Sequence, residues 1–214
     1  HAHAPEGRWS DPTKGEVTNQ ALFGKVPRND PRAAWTYDEK PMVAVDWHFA
    51  NKIAWSAKTA PGFTVRLPTE SEWERAARGL FRGAEYPWGD GPPDGTRADY
   101  DRFAQFSILP SHAFAPNDFG LFAMAGSVWE WCADEYDACF YESSPTVEPL
   151  CKLPKEAFAT LPRAWRSTDP LVPHVVRGGS WADDASVLRV SFRSAQTNGG
   201  NPNTGVRLVR ARVR

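Results

Sequence analysis

The clearest hydrophobic periodicity lies in "FTVRLPTESEWERAARGL", Phe63 to Leu80, where Trp73, Ala76 and Ala77 recur at helical spacing. Thr69 is placed as the N-cap, Glu72 stands three residues later as its capping-box partner, and Gly79 supplies the stop. Upstream, "PMVAVDWHFANKIAWSA" begins as a short strand and turns helical after Asp46, with Phe49, Ile53 and Ala57 at intervals of four. A further short helix is expected from Thr18, with Leu22 and Phe23 as its apolar face. Residues 81–116 read as loop, because "YPWGDGPPDG" is too rich in proline and glycine for a helix or a central strand. "FGLFAMAGSVWEW" reads as a turn, then a short helix or tight turn, then a strand. Residues 137–170 are irregular apart from a short helix near "PKEAFATL". "HVVRGGSW", "VLRVSFRSA" and "TGVRLVRARV" give three strand candidates with glycine-rich links. Many short elements of mixed type, with no repeated period, predict a single α+β domain over residues 41–214, preceded by a polar segment over 1–40.

Composition sharpens this picture at one point. Ten tryptophans, 19 prolines and 16 glycines in 214 residues describe a fold held by loops and aromatic anchors rather than by long helices. With 25 basic and 26 acidic residues the net charge is -1, which gives no bulk electrostatic case for nucleic acid or an anionic membrane. No apolar run approaches the roughly 20 residues that span a bilayer. The start, "HAHAPEG", has neither the basic nor the apolar region of a signal peptide and no initiator Met. A processed form or a fragment is expected, either cytoplasmic or exported after processing.

The cysteines, at 132, 139 and 151, allow two readings. A Cys139–Cys151 disulfide would close a short loop worth about 3 kcal/mol on the chain-entropy model; the equal alternative is three reduced thiols, and Cys132 is left over in both. His1, His3, His48, His112 and His174 show no HExxH spacing, and neither a CxxC pair nor a GxSxG elbow is present. No catalytic residue is assigned.

Among the carboxylates, Glu70, Glu72 and Glu74 read as helix cap and solvated helix face. Glu130 differs. Lying between Trp129 and Trp131, it would face away from both rings in a strand, and it needs a partner: backbone N–H groups, an arginine such as Arg177 or Arg193, or a hard cation. Arg177, Arg189, Arg193 and Arg207 read as structural, their guanidinium forks serving loop carbonyls and carboxylates. The loops "ADDAS" and "SAQTNGGNPNT" carry small polar side chains, suited to adaptable hydrogen bonding at a recognition surface and equally to plain solvent exposure.

Six blocks occur in order between Pro41 and Val209: "PMVAVDWHFANKIAW", "VRLPTESEWERAARG", "YPWGD", "NDFGLFAMAGSVWEW", "VVRGGSW" and "GVRLV". Together they resemble the formylglycine-generating-enzyme, or sulfatase-modifying-factor, family. The resemblance implies an α+β domain with a C-type-lectin-like core; the family's opening hairpin with a Met–Gly turn is not recognisable. It implies a structural calcium held by a "GNVWEW" block. Here the block is "GSVWEW", so the implied ligands are Ser127, a weaker donor than an amide carbonyl, and Glu130. It also implies copper held by two cysteines shortly after "GGSF". The matching positions after "GGSW" are Asp183 and, within one residue, Leu188, so copper and formylglycine generation are not expected.

Three functions fit this pattern. The first is a non-catalytic module binding a protein or small ligand, similar to the variable proteins of diversity-generating retroelements. Its surface would comprise 182–187, Phe192, 194–197 and 201–204, with Asp183, Asp184, Phe192 and Asn201 as ligand-binding residues. Phe192 has a second reading, as a core residue of a "VLRVSFRS" strand. The alternatives are a metal-dependent oxidoreductase acting on an unidentified substrate, and a structural subunit of a larger complex.

Overall fold

Local sequence chemistry sets the two long helices. The computed structural model describes residues 9–11, 15–17, 39–105, 108–153, 172–197 and 201–213. Strands β1 (Trp9–Asp11) and β2 (Gly15–Val17) form an antiparallel pair. Helix α1, Trp47–Ser56, starts where the Asp46 carboxylate accepts the Phe49 N–H at 2.7 Å. Its inner face is Ala50 and Ala54, with Phe49 and Ile53 packed beside them. The strand expected just before it does not form. Val43 makes only an isolated bridge to Gly205, because Ala44 turns to a positive φ of 60° and breaks the extended run.

Strand β3, Phe63–Arg66, leads into helix α2, Glu70–Arg78. The capping box is complete: Glu72 N–H donates to the Thr69 hydroxyl at 3.2 Å, and Thr69 N–H donates to the Glu72 carboxylate at 2.9 Å. Gly79 ends the helix at φ 60°. Trp73 and Ala77 are buried, as the periodicity predicts.

Strand β4, Trp129–Glu135, is central to a four-stranded sheet. It pairs antiparallel with β5, His174–Arg177, placing Glu130 opposite Arg177. Its other edge takes β7, Thr204–Gly205, in parallel, with Trp129 opposite Thr204. β6, Ser194–Gln196, pairs antiparallel with β5, while β8, Val209–Arg212, pairs with β3 in a separate two-stranded sheet. The strand expected over "VLRVSFRSA" is mostly turn. Asp184 caps a 3₁₀ turn, Ala185–Val187, and pairing begins only at Ser194. Helix α3, Phe140–Ser143, is a single turn within the segment read as irregular. The helices expected at Thr18 and at 154–161 lie outside the described residues.

Side chains of β4 feed two cores. Trp129 and Trp131 pack with Val45, Leu67 and Val176, whereas Cys132 packs with Trp73, Met124 and Val190. The alternation follows from the strand's period of two. All three cysteines are free thiols, with Cys132 and Cys151 buried and Cys139 exposed, so the reduced alternative holds. Burial pushes the Cys132 thiol well up, which leaves it an inert core group.

Glu70 and Glu74 correct the expectation of a solvated helix face. Glu70 is 0% exposed, and both its oxygens meet the Arg193 guanidinium, at 2.7 and 2.9 Å. Arg177, also fully buried, bonds Glu74 and places its Nε 3.4 Å from Glu70. Truncating one member strands a buried charge, so Arg177→Ala is expected to cost about 3–5 kcal/mol. Glu72→Ala, at the half-exposed cap, is expected to cost about 1 kcal/mol. Urea unfolding of both variants checks the ranking.

His174 supplies a pH test. Its ring stacks on Trp47 at 3.8 Å between centroids, and its Nδ1–H donates to the Val172 carbonyl at 2.9 Å. Burial lowers its pKa from 6.5 to about 4; that carbonyl works the other way, and Lys152 and His48 add to the lowering. Between those two pH values the unfolded chain binds a proton that the folded chain refuses, so stability falls as pH falls through the window. The His174 contribution is about 3 kcal/mol. A His174→Gln variant is expected to show a flatter stability profile than the native chain between pH 6.5 and 4.

Candidate functional site

Two glycines shape the turn after β5. Gly178 and Gly179 both take positive φ, and a Cβ on Gly179 would come within 2.9 Å of Val187 and Leu188 side-chain atoms. The close approach folds residues 180–188 back over the sheet end. Trp181 is buried, and its indole N–H reaches the Pro202 carbonyl at 3.4 Å.

Asp183 and Leu188, the positions that the resemblance sets against the family's cysteines, both do structural work. Asp183 Oδ2 accepts the Trp129 indole N–H at 2.8 Å and the Ser180 hydroxyl. Leu188 is 1% exposed and packs with Tyr86, Ala98 and Ala125. One is an engaged carboxylate and the other an apolar core side chain, so these two positions offer a cuprous ion no soft-ligand pair.

Trp129 draws three of the sequence-selected positions together. Its indole N–H meets Asp183, its ring lies 6.1 Å from that of Phe192, and its backbone N–H donates to the Asn203 carbonyl at 2.8 Å. Asn203 also donates to the Ser180 hydroxyl at 3.1 Å, which ties the 201–204 loop to the "GGSW" turn. Asn201 is exposed; its side chain donates to Gln196 at 3.3 Å and its carbonyl accepts from Ala44 at 3.1 Å. Asp184 is exposed and holds the Ser186 N–H at 2.8 Å. Phe192 is half-buried, with the Arg189 guanidinium 5.9 Å from its ring. It sits outside any strand, so alternation is not what turns it inward.

Ser127 and Glu130 lie at the other end of the same block. Ser127 is buried at φ 65°, its N–H donating to the Asp99 carbonyl at 2.7 Å and its carbonyl accepting from Trp181 at 2.8 Å. Glu130 meets neither Arg177 nor Arg193. Its partner is Arg207, whose Nη2 and Nε each donate at 2.8 Å, one to each carboxylate oxygen. Trp73 Nε1 adds a third donor at 2.7 Å. A cavity of about 330 Å³ opens beside the pair, lined in part by Ser111, Phe122 and Ser127. Among the described residues, no group of three or more His, Cys, Asp and Glu side chains could hold a metal ion.

A hollow that the sequence did not point to, of about 270 Å³, is walled by Phe81, Trp88, Pro116, Leu121 and Met124, with Arg97 at its lining. Its residues come from the loops around 81–97 and 115–125. In the sequence these stretches read only as the proline- and glycine-rich loop 81–116 and the turn of "FGLFAMAG".

Comparison with known proteins fits this geometry. The Sulfatase-modifying factor enzyme 1-like domain model matches residues 13–212. The chain is 40% identical over 186 residues to the formylglycine-generating enzyme of Streptomyces coelicolor, covering 79% of this chain and 52% of the relative. It is 35% identical over 225 residues to the formylglycine-generating enzyme of Thermomonospora curvata, covering 97% and 66% respectively. It thus spans between half and two thirds of the length of these relatives. Treponema denticola variable protein 1 has a similar fold, with a TM-score of 0.64 at 23% identity over 91% of this chain and 80% of that one. The chain therefore belongs to the sulfatase-modifying factor enzyme 1-like family, as a divergent member that has no cysteine pair after its "GGSW" turn.

Proposed function

We propose that this chain is a non-catalytic binding module, with its ligand-facing surface on the loops 182–187 and 201–204 around Phe192. The observation that carries the reading is the Trp129-centred brace. The Asp183 carboxylate, at a cysteine-matching position, has its Oδ2 engaged by Trp129 and Ser180, so the position supports the fold. Around that fixed floor stand exposed or half-exposed polar side chains: Asp184, Ser186, Asn201 and Asn203. A rigid scaffold carrying small polar loops and one aromatic ring has the chemistry of a recognition surface. The near-neutral net charge favours a protein or small ligand over nucleic acid. No helix among the described residues is long and apolar enough to cross a membrane. We read the core, short strands around β4 and β5 with long braced loops, as C-type-lectin-like in kind.

Two measurements test this. Incubated with a Cys-x-Pro-x-Arg peptide, oxygen and Cu(I), the chain is expected to form no aldehyde above a no-protein control, read by peptide mass. Aldehyde above that control overturns the non-catalytic reading. For the surface, a partner recovered with the full chain is titrated against Asp183→Asn, Asp184→Ala, Phe192→Ala and Asn201→Ala, each verified as folded. At least one is expected to weaken binding about tenfold, which corresponds to about 1.4 kcal/mol. Four variants binding like the native chain would reject this surface.

A further inference from the structure

We propose that the hollow between the 81–97 and 115–125 loops binds a small zwitterion with an apolar body, the chemistry of a free apolar amino acid. Its volume of about 270 Å³ lies just below the roughly 300–1,000 Å³ of ordinary small-molecule sites, which suits one amino acid rather than a peptide. Phe81, Trp88, Leu121 and Met124 supply apolar wall. Among the described residues, the lining carries two formal charges of opposite sign, Arg97 and Asp118. Arg97 is held by its own loop. The Asp94 carboxylate meets its Nε at 3.2 Å and also accepts the Thr96 N–H and hydroxyl, at 2.8 and 2.6 Å. The guanidinium lies over Gly91, where a Cβ would collide with Nη1 and come within 3.4 Å of Nη2. Fixed through Nε, it keeps its Nη1–Nη2 edge for a ligand, and that edge matches the two oxygens of a carboxylate.

Asp118 comes from the second loop, beside Gly79 where helix α2 ends. Its neighbour Asn117 pins that loop, donating to the Ala76 and Ala77 carbonyls at 2.7 and 3.2 Å and accepting the Phe119 and Leu121 N–H groups at 3.0 and 3.1 Å. The Asn117 amide is thereby used within the fold, and the Asp118 carboxylate is the acceptor suited to an ammonium. Charge then selects the ligand. A carboxylate alone would add a negative charge near Asp94 and Asp118, and an amine alone would face Arg97. A molecule carrying both groups answers both walls and leaves its apolar body to Phe81 and Trp88. Gly91, Asp94, Thr96 and Arg97 lie outside the six blocks that carry the family resemblance, so the guanidinium sits on a stretch which that resemblance does not cover. The inference does not rest on the loop surface around Phe192, whose residues are not among those walling the hollow.

Calorimetric titration of the full 214-residue chain with L-phenylalanine tests it, beside two probes that each lack one charge, N-acetyl-L-phenylalanine and L-phenylalaninamide. Phenylalanine is expected to bind with a Kd of about 1 mM or tighter, and each single-charge probe at least about tenfold more weakly. Arg97→Gln and Asp118→Asn are each expected to weaken phenylalanine by about tenfold or more. Both side chains are exposed, so the variants are expected to melt with the native chain. Gly91→Ala keeps every charge and is expected to weaken binding as Arg97→Gln does, because the new methyl displaces the guanidinium. No saturable binding at millimolar phenylalanine overturns the proposal. So does a single-charge probe that binds as tightly as phenylalanine, or affinity that survives Arg97→Gln or Asp118→Asn unchanged. Native affinity in Gly91→Ala overturns the placement of the ligand carboxylate on the Nη edge.

Discussion

A tryptophan can be buried whole only if its indole N–H finds an acceptor, and in this chain that requirement fixes the loops. Trp131 donates to the Val45 carbonyl, Trp47 to that of Cys132, Trp73 to Glu130 and Trp129 to Asp183. The partners lie 54 to 86 residues apart in sequence. Each bond therefore joins one stretch of loop or helix to the central strand, and each does so with a large apolar body that excludes water around the bond. Exchanging such an indole for phenyl keeps most of the volume but leaves a buried acceptor unpaired, which is the expensive half of a lost hydrogen bond.

The arginines complete what the indoles begin. Arg177, Arg193 and Arg207 divide Glu70, Glu74 and Glu130 among them, and Trp73 sits between two of the pairs: its N–H holds Glu130 while the Arg177 guanidinium lies 5.2 Å from its ring. This explains why Glu130 and Arg177, opposite one another in the sheet, do not form the ion pair that their register invites. The indole separates them, and Arg177 turns to helix α2 while Arg207 arrives from beyond β7. A scaffold braced in this way does not depend on the chemistry of any one loop. The Asp183 carboxylate, for example, is held by two donors, the Trp129 indole and the Ser180 hydroxyl.

Local features were legible in the sequence because they rest on neighbours within four residues. The capping box at Thr69 and Glu72, the Asp46 cap and the Gly79 stop all stand as expected. What needed remote partners was not legible. Glu70 and Glu74 sit at helix positions that ordinarily face water, and nothing nearby in sequence announces that arginines 103 and 123 residues away will cover them. The alternation Leu188, Val190, Phe192 imitates a strand, yet a capped 3₁₀ turn delivers the first two to the core. The sequence likewise offered Glu130 a choice of partner but not the register that selects Arg207. At the loop surface, composition marked the polar side chains; it did not reveal that Asp183 and Phe192 meet the Trp129 indole while Asn203 meets its backbone N–H.

Strand β3 has its only described sheet partner in β8, and Trp129 waits for residues 203 and 204 to satisfy its backbone and complete the sheet edge. The fold is thus closed by β7 and β8. During synthesis the tryptophans of β4 emerge some 75 residues before the segment that closes over them, a lag of roughly 4–15 seconds at common elongation rates. Through that interval the most apolar part of the molecule has its indoles made but not all of its acceptors present. Completion of the native core in such a chain waits for β7 and β8 to pair.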